Sequence, residues 1–250
     1  MPTYLYCLLI PAGGPDAGPA AVRGIAGAAV RVLSAGSLEA WVSTVPAPPP
    51  AATAQTVREH DGVVSAALAT GRTPLPARFG QIWASDEACA TAVTQRNAEL
   101  EPLLRRVAGL VEMTVCTLLP GMPPAPLRRA DDTGETTPGR AYLRRLRARA
   151  DRERRLRAAL EALRARVSRA LGPVSRGEVA EIRGSDEVLS LSVSYLVERG
   201  QEDDFRRAVN EVSREAAARL VVAGPRAPYS FAPPARSTRR ATEARPADRS

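Results

Sequence analysis

Residues 110–119 read LVEMTVCTLL. Val111, Met113 and Val115 alternate with Glu112, Thr114 and Cys116, the period of a strand with one buried face. The segments C-terminal to this strand set the fold class. Residues 120–138 are rich in Pro, Gly, Asp and Thr and are expected to form a mobile loop. From Gly139 to Leu171, apolar residues recur every three or four positions: Leu143, Leu146, Ala150, Leu156, Leu160, Leu163 and Val167. That spacing predicts a long amphipathic helix. Val174–Ile182 and Val188–Val197 read as strands joined at Arg183-Gly-Ser-Asp186. A helix is expected over Asp203–Leu220, with Phe205, Val209, Val212 and Ala216 on one face, then a short strand over Leu220–Ala223. The order is β-α-β-β-α-β, the ferredoxin-like pattern. Residues 109–232 are therefore expected to be a C-terminal ferredoxin-like domain, and 233–250, rich in Pro, Ala, Arg and Thr, a disordered tail.

Working upstream, residues 1–108 suggest a related α+β sandwich. Thr3–Ile10 (TYLYCLLI) reads as a buried strand ended by Pro11-Ala-Gly-Gly. A short helix is expected over Pro19–Ile25, then strands over Val30–Leu33 and Leu38–Val45 with a tight turn at Gly36. Thr53 is placed to cap a helix reaching Ala69, with Val57, Val64 and Leu68 as its apolar stripe. Residues 73–83 (TPLPARFGQIW) are held extended by proline. Ser85 before Asp86-Glu87 caps a helix expected to run to about Val107.

The 250 residues include 4% aromatics, so Leu, Val and Ala must supply most of the packing. All 35 cationic side chains are arginine, since no lysine occurs. Arginine suits bidentate pairing with carboxylate or phosphate. Abundant Ala, Pro and Gly instead favour a plainer reading, a genome rich in G and C. The chain carries +8, Arg140–Ala170 carries +9 and residues 233–250 carry +3, so the remainder is −4. The basic character is thus local to one helix and the tail. Such a helix can bind phosphate, bind an acidic protein face or stay solvated. Arg144, Arg145, Arg152 and Arg155 are its candidate partner contacts.

Several chemistries have no foothold. Three widely spaced cysteines, Cys7, Cys89 and Cys116, with no CxxC pair, argue against a disulfide framework or a zinc site. His60 is the sole histidine; it reads as a hydrogen-bonding residue of the helix surface or of a domain boundary. Neither GxxxxGK[ST], GxGxxG nor GxSxG occurs, and no cofactor is expected. Asp131-Asp132 and Asp203-Asp204 are the visible acid pairs, one in the expected loop and one at a helix start, where acids favour the dipole. Met1–Ile10 lacks a basic leader region, and no apolar run nears the ~20 residues needed to span a bilayer. A cytoplasmic chain without membrane contact is expected. RNA-recognition modules share the β-α-β-β-α-β order, but the RNP1 pattern is absent and Tyr195 alone makes a poor stacking platform. A ferredoxin-like haem enzyme would be coloured.

Several segments together resemble the gas vesicle protein F/L family. Tyr4-Leu-Tyr6 is similar to its opening strand, with Cys7 where glycine is usual. Ser37-Leu-Glu-Ala-Trp-Val-Ser43 resembles a second strand, and His60 sits where the family carries a helical histidine. Leu75-Pro76-Ala77-Arg78-Phe79-Gly80 resembles its LPxRFG segment. Val111-Glu112, Val193–Val197 and Gly224-Pro225-Arg226-Ala227-Pro228-Tyr229-Ser230-Phe231 resemble its later elements, with Arg226 where tryptophan is usual. The resemblance implies a two-domain, non-enzymatic accessory protein of gas vesicle assembly. Its implied partners are the major shell protein and other accessory proteins. An RNA-binding protein using the arginine helix is the alternative. Physically, the LPxRFG segment reads as structural, with Phe79 packing and Arg78 free to bridge the domains through a carboxylate. Residues 224–231 read as a clasp whose Tyr229 and Phe231 pack onto the C-terminal sheet.

Overall fold

The computed structural model describes residues 1–12, 18–19, 21–46, 50–120, 138–184, 188–216 and 218–233. The expected 120–138 loop (apart from its end residues), the 234–250 stretch and the Asp131-Asp132 pair lie outside them. The described chain is α+β, with two antiparallel sheets and five α-helices.

The first sheet is built on β1 (Thr3–Leu9), flanked by β3 (Leu38–Thr44), which pairs in turn with β2 (Arg31–Ala35). The other edge of β1 pairs with β4 (Leu75–Pro76) and β5 (Ile82–Trp83). Every residue of β1 is buried, because both faces are covered. Tyr4, Tyr6, Cys7 and Leu9 pack with α1 (Ala54–Ala69). Leu5 and Leu8 pack with α2 (Asp86–Thr94) and α3 (Asn97–Val107). A bulge between Leu5 and Cys7 makes this division possible. The extra residue shifts the alternation by one, so two tyrosines and a cysteine reach one face.

Helix α1 starts as its residues dictate: Thr53 Oγ1 accepts from Thr56 N at 3.1 Å, and Thr56 Oγ1 accepts from Thr53 N. Two expectations need correction. Pro19–Ile25 forms no α-helix; the described part holds only a 3₁₀ turn over Ile25–Gly27. Arg23 instead forms a β-bridge with Ala29, and the backbone is extended at Gly24 and left-handed at Ala26. The helix expected from Asp86 to Val107 breaks at Gln95–Arg96. The break re-aims α3 so that Leu100, Leu104 and Val107 are buried.

The second sheet has the order β7-β8-β6-β9, from β6 (Leu110–Pro120), β7 (Gly177–Gly184), β8 (Val188–Glu198) and β9 (Val221–Arg226). One face packs a core against α4 (Pro138–Leu171) and α5 (Glu202–Ala216), and Arg226 and Ser230 cover part of the other. Met113, Val193, Tyr195 and Phe205 form that core. The opposite face carries Thr114, Cys116, Ser192 and Ser194, joined in cross-strand pairs. Tyr195 therefore points into the core, where its ring lies 5.4 Å from Phe205, and is no platform for a base.

Candidate functional site

The residues singled out in the N-terminal half converge on one aromatic knot. Gly80 N–H donates to the Tyr4 hydroxyl at 3.0 Å. With that oxygen accepting, Tyr4 O–H donates to His60 Nδ1 at 3.0 Å, and His60 Nε2–H donates to the Ala77 carbonyl at 3.1 Å. This chain of bonds requires a neutral imidazole, and burial pushes the His60 pKa below its ordinary value. Burial likewise raises the Tyr4 and Tyr6 phenols. Tyr6 accepts from Ile25 N–H at 2.9 Å and bonds Ser43 Oγ at 2.7 Å. Phe79 closes the knot, edge-on to Tyr4 at 5.9 Å and to His60 at 6.0 Å. His60 is thus a core residue, not a helix-surface or boundary one. Gly80 has a φ of 86°, a left-handed conformation that places its amide on Tyr4.

Behind the knot lies a cavity of about 580 Å³. The whole run from Leu75 to Ala84 forms one of its walls, so Leu75, Pro76, Arg78, Phe79 and Gly80 all border it. Leu5, Leu8, Val93 and Leu100 supply a buried apolar floor. Arg78 is exposed and forms no ion pair among the described residues. It does not bridge the two halves.

That bridge comes from residues the sequence did not flag. Arg199, just after β8, donates to the carbonyls of Leu68 and Arg72 at 3.1 and 3.2 Å. Thr73 Oγ1 donates to the Leu110 carbonyl at 3.1 Å. The 224–231 clasp also crosses over. Phe231 packs with Val107, Leu110 and Leu196, whereas Ala227 and Tyr229 join the Tyr4–His60 cluster of the N-terminal half. Tyr229 therefore does not pack onto its own sheet. Burial and the nearby Asp61 carboxylate raise its phenol pKa.

The clasp is pinned by Glu112, whose side chain is fully buried. Its carboxylate accepts from Arg226 Nη2 at 2.7 Å, Ser230 N at 2.8 Å and Ser230 Oγ at 2.9 Å. Arg226 thus ties the clasp to β6 through an ion pair. Gly224, with φ 116°, lies so close to β6 that a Cβ there would sit 2.6 Å from the Glu112 carbonyl oxygen. The cis peptide follows it, at Pro225. Glu112 is visible in the sequence as a lone acid in an otherwise uncharged strand and in the Val111-Glu112 resemblance, but its partners are not.

Helix α4 is two-natured. Leu160, Val167 and Leu171 are buried in the C-terminal core. Toward its start, Tyr142, Leu143 and Leu146 are 62%, 53% and 43% exposed. Arg144, Arg145 and Arg155 are exposed and Arg152 half-buried. Intrahelical pairs such as Arg154–Asp151 and Arg157–Glu153 neutralise only part of this surface. Among the described residues, no group of three or more His, Cys, Asp or Glu is placed to hold a metal. No described helix is long and apolar enough to cross a membrane.

Comparison with known proteins places these features. The family model for gas vesicle synthesis protein GvpL/GvpF matches residues 2–233. Gas vesicle protein L of Streptomyces sp. (strain CB03234) is 32% identical over 248 residues, covering 92% of each chain. The crystal structure of GvpF from Anabaena sp. PCC7120 superposes with a TM-score of 0.73 at 19% identity, over 94% of this chain and 97% of that one. GvpF from Microcystis aeruginosa gives 0.70 at 17% identity, over 93% and 99%.

Proposed function

The chain belongs to the GvpL/GvpF family of gas vesicle synthesis proteins and has a role in gas vesicle assembly, and from that premise we propose that it acts by binding, without catalysis, holding the major shell protein and other accessory proteins. The observation that carries this reading is how its reactive groups are used. Both ring nitrogens of the sole histidine are bonded inside the core. Cys7 and Cys89 are buried, and burial pushes the Cys89 thiol up to about 12. Asp203 and Asp204 pair with Arg206 and Arg207 on their own helix. The groups left facing outward are suited to contact: Arg78, the start of α4 and the long edge strand β7, which among the described residues pairs only with β8.

The strand order β7-β8-β6-β9, with two helices on one face, supports reading the C-terminal half as ferredoxin-like. The turn at Gly109, between Val107 and β6, supports a domain boundary there. The RNA alternative retains the arginine helix, but the sheet face it would use carries Thr114, Cys116, Ser192 and Ser194, with Thr114 and Ser194 buried under Arg226 and Ser230. Co-purification with the tagged full chain from vesicle-producing cells tests the reading. Shell and accessory proteins should be retained at low salt and weakened as salt rises. Retention of RNA, or of no gas vesicle protein, would overturn it.

A further inference from the structure

We infer that the cavity behind the aromatic knot is a docking site for an extended acidic segment of another gas vesicle protein, with an aliphatic or aromatic side chain seated in it and a carboxylate on Arg78. The inference deepens the assembly role proposed above and rests on it. Its first support is size and lining. About 580 Å³ is within the range of sites that bind ligands, and the floor is apolar. Ile82 and Trp83, half-buried, extend that lining toward solvent.

The second support is charge at the mouth. Arg96 also borders the cavity, but Glu99 neutralises it at 2.9 Å. Arg78 has no carboxylate partner among the described residues, so within them the mouth keeps one uncompensated guanidinium. A guanidinium is a planar fork that matches a carboxylate. The backbone that carries it is also held in place before any partner arrives. Its neighbour Phe79 is fixed against Tyr4 and His60, and Ala77 is bonded on both sides, its amide to the Tyr6 carbonyl and its carbonyl to His60. A rim built in advance lowers the ordering cost of binding. The knot therefore serves to present Arg78 and the wall of Leu75–Ala84.

Charge also selects the occupant. Pro233 borders the cavity, and residues 234–250 follow it in the sequence. That stretch holds five arginines against two acids, like-signed to Arg78. An acidic segment of a different protein is complementary where the chain's own end is not.

Photo-crosslinking tests this with the full chain in vesicle-producing cells. A p-benzoylphenylalanine replaces Ala84 at the exposed rim, and mass spectrometry identifies the crosslinked peptide. The expected peptide comes from another gas vesicle protein and carries Asp or Glu within three residues of Leu, Ile, Val or Phe. Arg78→Glu should cut the yield at least tenfold with an unchanged far-ultraviolet circular dichroism spectrum. Arg78→Lys should recover part of it. A crosslink to residues 234–250, a basic peptide, no crosslink, or a yield unmoved by Arg78→Glu would each overturn the proposal. Vesicle yield in the same cells separates the two readings. A chain that restores vesicles yet crosslinks nothing at position 84 keeps its assembly role and loses the docking site.

Discussion

The two sheets solve burial differently. In the N-terminal half helices cover both faces, so β1 is buried throughout and its tyrosines must satisfy their hydroxyls internally, through His60, Ser43 and backbone amides. In the C-terminal half helices cover one face and the clasp part of the other, so β6 alternates, with Glu112 and Thr114 buried under Arg226 and Ser230 and Cys116 half-buried. The first arrangement yields a rigid knot with a cavity at its edge. The second yields a platform from which α4 extends beyond its own core. The halves are then tied by Arg199, Thr73 and the Tyr229 clasp.

The largest effect should come from the part of α4 that belongs to the platform. Leu160→Ala should cost about 3 kcal/mol by urea denaturation, from lost burial and the cavity left behind. Leu143→Ala, on the projecting part, should change stability by less than about 0.5 kcal/mol. Equal costs would mean that both parts of the helix are packed alike. Next, Arg226→Ala leaves Glu112 buried without its cation. A fully buried pair would lose more, but Arg226 is 44% exposed, so a loss of about 2 kcal/mol is expected.

Tyr229→Ala sharpens the comparison by loosening the tie between the halves. Both tryptophans, Trp41 and Trp83, lie in the N-terminal half, so their fluorescence reports that half alone. The variant should lower the fluorescence midpoint by the equivalent of about 1.5 kcal/mol. It should also separate that midpoint from the one seen by circular dichroism, which senses both halves. Coincident, unshifted curves would deny the clasp its role.

The pH effect is smaller and confined to the knot. The folded state favours neutral His60, whose pKa lies below the unfolded value of about 6.5. This stabilisation is complete above the unfolded value. It is lost as pH falls toward the folded one, because only the unfolded chain takes up the proton, with a slope of at most about 1.4 kcal/mol per pH unit. His60→Gln should be less stable at neutral pH and lack that added slope. Parallel curves for the two chains would place the acid sensitivity elsewhere.

Local patterns are legible in the sequence where one face or one cap decides the outcome. The alternation in β6, the three-and-four spacing of α4 and the Thr53 cap all translate directly into the observed elements. At Pro19–Ile25 a short helix is expected, but a bridge between Arg23 and Ala29 and an extended Gly24 take its place, a pairing that leaves no local signature. The break at Gln95–Arg96 carries no Gly or Pro, since packing of Leu100 and Leu104 against the first sheet sets it. The motif residues are visible one by one, but not their meeting. Tyr4, His60, Phe79 and Tyr229 are far apart in the chain, and only the tertiary fold brings them together. Arg199 is invisible for the same reason: its partners are backbone carbonyls, which leave no mark in side-chain identity.

Assembly by binding alone is tested most directly by vesicle formation from a complete gas vesicle gene cluster with this chain's gene deleted, read by electron microscopy and by the turbidity lost on pressure collapse. Vesicles should fail or be malformed, and the wild-type chain should restore them. A His60→Gln chain, still folded at neutral pH, should restore them too, because the imidazole does no chemistry. Normal vesicles without the gene would contradict the assembly role. Failure of a folded His60→Gln chain to restore them would contradict the claim that the protein works by binding alone.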